Sequence, residues 1–140
     1  MPMVRISVSS TTTAAQRRQI ADAVYEAMRA TIDTPEGDRF ILVTPRGEDE
    51  LFVDAHFMGM HRTADFMLVQ IFLARGRSAE KKQALFARIA TDLHTAIGIA
   101  TDDVMIVLNE NDGVDWSFGK GEAPFATQAP NWVSQTGEKK

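Results

Sequence analysis

The chain has 140 residues, 44% of them apolar and 24% charged, with a formal net charge of −4. That is one ordinary domain with enough apolar side chains for a core, lacking a bilayer-length apolar run, a signal-type N-terminus or the basic face expected of a nucleic-acid binder. It has no cysteine, which excludes disulfides, thiol catalysis and thiolate metal sites; a soluble, cytoplasmic protein without nucleic-acid or membrane partners is expected.

The chain opens MPMVRISV. Val4 to Val8 alternates apolar and polar, the pattern of a half-buried strand. Pro2 directly follows Met1. Loss of Met1 would leave a proline with a free secondary amine, which titrates nearer neutrality than lysine. Such an amine can serve as base, acid or nucleophile. The bland reading is a proline tolerated at the first position of a strand.

Thr13 and Gln16 then have the T-x-x-Q form of a capping box. Ile20, Val24, Met28 and Ile32 recur every fourth residue, one stripe of an amphipathic helix. DTPEGD supplies turn residues, and Phe40 to Val43 reads as a short buried strand. Asp38 stands just before that strand, where it is either a turn residue or a carboxylate able to favour a protonated Pro2. Its neighbour Arg39 is a further partner for it. Residues from about 44 to 65 are loop-rich. The three histidines, His56, His61 and His94, lack an H-E-x-x-H or similar spacing, so no metal site is expected.

A second cycle starts at Phe66. FMLVQIFLA reads as a strand, Ser78 as a helix cap, and Leu85, Ile89, Leu93 and Ile97 as a four-residue stripe ending at Gly98. Val104 to Leu108 is another buried strand. Arg75 and Arg77 fall between the strand and the Ser78 cap. Residues at i and i+2 of an extended segment project to one side, so two guanidiniums there form a fork for a carboxylate. The alternative is a pair of solvated loop arginines. In parallel sheets, crevices open at the carboxyl ends of strands and helix N-termini favour anions.

The two cycles superpose at a constant offset of 65 residues. Ile6 maps to Ile71, Val8 to Leu73, Thr13 to Ser78, Ile20 to Leu85, Val24 to Ile89, Met28 to Leu93 and Ile32 to Ile97. Asp38 maps to Asp103. The expected fold is α/β (α+β by some schemes): two tandem β-α-β units, about 3–43 and 66–108, forming a four-stranded sheet with two helices on one face. The other face would be bare and apolar, which implies oligomerisation. From Asn109 the chain is Gly-, Asn- and aromatic-rich, NENDGVDWSFGKGEAPF, and is expected to form turns and a short C-terminal hairpin. Trp116 and Phe118 in that segment would either wall off a small pocket or belong to an edge hairpin packed on the core. Residues 1–128 are expected to form one domain, with 109–128 as its aromatic C-terminal segment and 129–140 as a polar tail.

The chain resembles the tautomerase superfamily, and within it the malonate semialdehyde decarboxylase group. The resemblance rests on MP at the start, GDRF, HRTADFMLVQI, the R-x-R-S-x-E-K-K-Q stretch, DVMI, and DWSFG followed by GEAPF. It implies that Pro2 is a catalytic amino-terminal proline, that Asp38, Arg75 and Arg77 are catalytic, and that the arginines with Trp116, Phe118 and Phe125 bind substrate. It implies a homotrimer, a small carboxylate substrate, and neither metal nor organic cofactor. The implied activity is decarboxylation of malonate semialdehyde or a similar 3-oxo acid. Keto-enol tautomerisation of a 2-oxo acid such as phenylpyruvate, hydration of a small unsaturated acid, and a trimeric binding scaffold without catalysis are the alternatives.

Overall fold

A computed structural model of the chain describes residues 2–127. Strand β1 (Met3–Ser9) leads into helix α1 (Ala14–Ile32) and strand β2 (Ile41–Arg46). After a linking stretch with two 3-10 turns, strand β3 (Met67–Ala74), helix α2 (Ala79–Ile97) and strand β4 (Val104–Asn111) repeat the pattern. The strands form one sheet in the order β2-β1-β3-β4. Each repeat pairs its own strands in parallel, and the repeats join through the antiparallel β1–β3 pair.

Both helices form where the stripes and caps require. Thr13 accepts from the Gln16 N–H at 3.1 Å while Gln16 accepts from the Thr13 N–H at 2.9 Å, closing the capping box. Ser78 accepts from the Lys81 N–H at 3.2 Å. Ile20, Val24, Met28 and Ile32 are buried, as are Leu85, Ile89 and Leu93, while Ile97 packs partly buried at the margin. Against them lie Val4, Ile6 and Val8 of β1 and Met67, Val69, Ile71 and Leu73 of β3. Each such side chain contributes about 1.5–3 kcal/mol by leaving water. Both helices therefore cover one face of the sheet, and α1 packs on α2.

The opposite face carries Arg5 and Ser7 of β1, Leu42 of β2, Leu68 and Phe72 of β3 and Met105 and Val107 of β4, by the alternation of the registers. Leu42, Met105 and Val107 are exposed there. A recess of about 500 Å³ lies between this face and the linking stretch, lined in part by Leu68, Met105, Phe52 and Phe57.

Three expectations are corrected. Strands β2 and β4 run on past the apolar runs, to Arg46 and Asn111, because their neighbours β1 and β3 continue to offer ladder partners. The C-terminal hairpin does not form among the described residues. Gly113–Asp115 and Pro124–Ala126 are instead 3-10 turns, the first braced by the Asp112 N–H donating to the Asp115 carboxylate at 2.9 Å. Arg39 does not turn to Asp38: it pairs with Asp22 at 2.6 Å and lies over the Tyr25 ring. The expected polar tail at 129–140, with the end of the aromatic segment, falls outside the described residues.

Candidate active site

The antiparallel β1–β3 pairing decides what meets what. It sets the start of β1 beside the ends of β3 and β4, and the parallel β1–β2 pairing adds the start of β2. Pro2 lies at this end of the sheet. It is buried, and the next residue, Met3, pairs with Phe72 near the end of β3. On the other flank the Val4 N–H donates to the Phe40 carbonyl at 2.8 Å, which places the turn carrying Asp38 next to the start of β1.

That turn is pinned from α1. The Gly37 N–H donates to the Tyr25 hydroxyl at 3.1 Å, and Arg39 is held by Asp22 and the Tyr25 ring. Asp38 itself closes the turn, its N–H donating to the Pro35 carbonyl at 3.2 Å. Both neighbours of Asp38 are thus fixed to a helix.

The two arginines leave the end of β3 in different surroundings rather than as a symmetric fork. Gly76 between them has a φ of +130°, a conformation that favours glycine. Arg75 is exposed; its Nε donates to the Asp112 carboxylate at 3.1 Å, and its backbone N–H donates to the Asn111 carbonyl at 2.7 Å. Arg77 is half-buried and donates to the Ala74 carbonyl at 2.9 Å. Burial holds the Arg77 guanidinium below the usual arginine range, partly offset by the carboxylates of Asp33, Glu110 and Asp38. Asp38 and Arg77 thus share this end of the sheet.

The aromatic residues form one stack. Trp116 and Phe118 lie nearly parallel with centroids 5.8 Å apart, and Phe125 meets Phe118 edge-on at 5.4 Å. The Trp116 indole N–H donates to Asn111 Oδ1 at 2.7 Å. A recess of about 250 Å³ opens beside Phe118, lined by Lys120, Glu122 and Pro124.

Four residues of this region were marked by no site motif: Asp33, Glu110, Asn111 and Asp112. Glu110 pairs with Lys82 at 3.0 Å and Asp33 with Lys81 at 2.9 Å. Asp33 is the αL cap of α1 (φ +58°), where Gly98 caps α2 in the second repeat. A charged residue at a cap that glycine would fill more easily was the available clue.

The far end of the sheet holds the repeat counterpart of this region without its chemistry. The 65-residue offset sets Met67 against Pro2, Ser10 against Arg75, Thr12 against Arg77 and Asp103 against Asp38. At that end a recess of about 160 Å³ is lined by residues such as Ser9, Thr11 and Met67. The histidines are remote from both arginines in sequence and bonding: His56 and His61 meet edge-on at 6.2 Å, and His94 Nδ1 lies 2.8 Å from the Ile99 carbonyl oxygen.

Comparison with known proteins agrees with this architecture. A family model described as tautomerase enzyme matches residues 38–119. The probable tautomerase YusQ of Bacillus subtilis (strain 168) is 31% identical over 123 residues, covering 88% of this chain and 97% of the relative. A second protein of that organism, the probable tautomerase YrdN, is 29% identical over 127 residues, 91% of this chain and 98% of its own. Among solved structures, FG41 malonate semialdehyde decarboxylase inhibited by 3-bromopropiolate superposes with a TM-score of 0.85 at 35% identity, covering 92% of this chain and 98% of that one. Another malonate semialdehyde decarboxylase, described with decarboxylase and hydratase activities, gives 0.82 at 30% identity, over 89% and 96%. A fused 4-OT symmetric trimer shares the fold at 20% identity and a TM-score of 0.75, over 90% and 98%. The chain belongs to the tautomerase superfamily, in its malonate semialdehyde decarboxylase-like group.

Proposed function

We propose that the chain is a cofactor-independent decarboxylase of malonate semialdehyde or a similar small 3-oxo acid, acting through Pro2 after removal of Met1. One observation carries the reading: Pro2, Asp38, Arg75 and Arg77 converge at a single end of the sheet beside an aromatic stack. The 35% identity to a malonate semialdehyde decarboxylase supports it.

The chemistry follows from charge placement. Malonate semialdehyde carries an aldehyde two carbons from a carboxylate. Breaking the bond to the carboxylate carbon releases CO₂ and sends the electron pair toward the aldehyde oxygen as an enolate. A protonated Pro2 amine hydrogen-bonds that oxygen and stabilises the developing charge. Arg75 and Arg77 hold the carboxylate so that the breaking bond lies perpendicular to the carbonyl plane, aligned with the π system. The Trp116, Phe118 and Phe125 rings favour neutral CO₂ over the charged carboxylate. A proton taken up at carbon then gives acetaldehyde. Asp38 opposes the effect of the arginines on Pro2 and favours its cation. A Schiff base between Pro2 and the aldehyde is a second route to the same electron sink.

The exposed Leu42, Met105 and Val107 on the uncovered sheet face support assembly as a homotrimer. No helix among the described residues is long and apolar enough to cross a membrane. A second reading, keto-enol tautomerisation of a 2-oxo acid, is favoured by the Bacillus relatives, both called probable tautomerases.

The test begins with intact mass, which reports whether Met1 is lost. CO₂ release from malonate semialdehyde and ketonisation of phenylpyruvate enol are then measured for the wild type and Pro2→Ala. The reading expects CO₂ release that depends on Pro2. Ketonisation without CO₂ release would favour the tautomerase, and neither activity would leave the binding scaffold.

A further inference from the structure

The last residue of β4 touches both halves of the candidate site. Asn111 accepts from the Arg75 backbone N–H through its main-chain carbonyl at 2.7 Å, and from the Trp116 indole N–H through its side-chain oxygen at 2.7 Å. An indole N–H only donates, so the atom facing it must be the amide oxygen. Asn111 and Trp116 are both half-buried, so this bond is partly shielded from water. The next residue, Asp112, accepts from Arg75 Nε at 3.1 Å. One dipeptide therefore sets the exposed guanidinium and the head of the aromatic stack in a fixed relation.

We propose that Asn111 is a positioning residue of this site, its side-chain amide holding the Trp116 ring against the Arg75 end of β3. The ring turns about two side-chain torsions, and a short shielded hydrogen bond selects one orientation out of several. Phe118 stacks on that ring and Phe125 meets Phe118, so the wall is oriented from Asn111 outward. The carboxylate grip is not made by this side chain, because Arg75 meets only the Asn111 backbone. Its effect on turnover rests on the decarboxylase reading above; its effect on the indole does not.

The test uses Asn111→Ala and Asn111→Asp, the second keeping an oxygen acceptor, each alone and with Trp116→Phe. The protein has two tryptophans, so Trp132→Phe is carried throughout and one indole reports. The Trp116 indole N–H resonance of ¹⁵N-labelled protein is expected to move upfield in Asn111→Ala and to stay in the hydrogen-bonded range in Asn111→Asp. For CO₂ release, kcat falls roughly fivefold to tenfold in Asn111→Ala, the scale of one hydrogen bond, with KM within about twofold and recovery in Asn111→Asp. In the Trp116→Phe background, which has no N–H to hold, Asn111→Ala has no further effect. An equal loss in both backgrounds would mean that Asn111 acts only by shaping the end of β4, and would overturn the proposal. An indole resonance unmoved by Asn111→Ala would also overturn it. If the wild type releases no CO₂, the decarboxylase reading fails, and the resonance still decides the role of Asn111.

Discussion

Asp103 accepts two hydrogen bonds from Thr63, one from its backbone N–H at 2.7 Å and one from its hydroxyl at 2.6 Å. The carboxylate is buried, and these bonds tie the linking stretch to the start of β4. Removing it strips an acceptor from two donors at once. Asp103→Ala is expected to lower stability by about 3 kcal/mol, read as a lower urea midpoint at unchanged slope. Because this end of the sheet is opposite the candidate site, turnover per folded molecule should stay near that of the wild type.

Asp38 occupies the matching place in the first repeat, and the contrast shows where sequence reasoning stops. The apolar stripes through Ile20 and Leu85, the Thr13–Gln16 box and the Ser78 cap were legible because each depends on residues a turn apart. The fate of the two aspartates was not. It depends on the antiparallel β1–β3 pairing, which puts the starts of β2 and β4 at opposite ends of the sheet. Asp38 then shares an end of the sheet with Arg77, nearly forty positions away, while Asp103 meets Thr63 at the other end. The parallel β3–β4 pairing brings Glu110 and Asp112 to the arginines, a relation with no trace in local spacing. The C-terminal segment misled for another reason. Its Gly- and Asn-rich composition fits a hairpin, yet its aromatic rings pack on one another and its turns close on themselves, so no ladder forms among the described residues.

Tyr25 holds the turn that carries Asp38. Its hydroxyl is the acceptor for the Gly37 N–H, and its ring is buried to all but 8%. Tyr25→Phe keeps the ring and leaves that N–H without its partner. The expected cost is about 1–2 kcal/mol, measured by chemical denaturation. If Asp38 tunes Pro2, CO₂ release should also fall severalfold, with a shift in the pH dependence of kcat. A loss of stability with an unmoved pH profile would separate the turn from the chemistry.

Arg77 gives a prediction about pH. Burial lowers its affinity for the proton in the folded state, so the unfolded chain binds that proton more tightly. Stability therefore rises with pH only between the folded value and the ordinary arginine value, well into the alkaline range. Near neutrality the group is fully charged in both states and contributes no slope. The difference in urea midpoint between the wild type and Arg77→Ala should be flat from about pH 6 to about pH 9, where carboxylates are also ionised. Activity should respond differently: Arg77→Lys keeps the charge but loses the planar fork, and kcat/KM for CO₂ release is expected to fall at least about tenfold.

The uncovered sheet face supplies the last prediction. Leu42 is 57% exposed, Met105 41% and Val107 38%, alternating with Ile41, Val43, Val104, Ile106 and Leu108, which are partly buried and pack against the core. Each apolar side chain of this size gains about 1.5–3 kcal/mol on leaving water, and a threefold assembly counts every gain three times. A carboxylate in the same place must be desolvated three times, at several kcal/mol per ion. Met105→Glu and Leu42→Glu should therefore convert the proposed trimer into monomers in sedimentation velocity at micromolar concentration. Arg18→Glu on α1, which is directed away from this face, should leave the assembly intact. A wild-type chain that sediments as a monomer would remove the premise, and a trimer that survives both substitutions would move the interface to another surface.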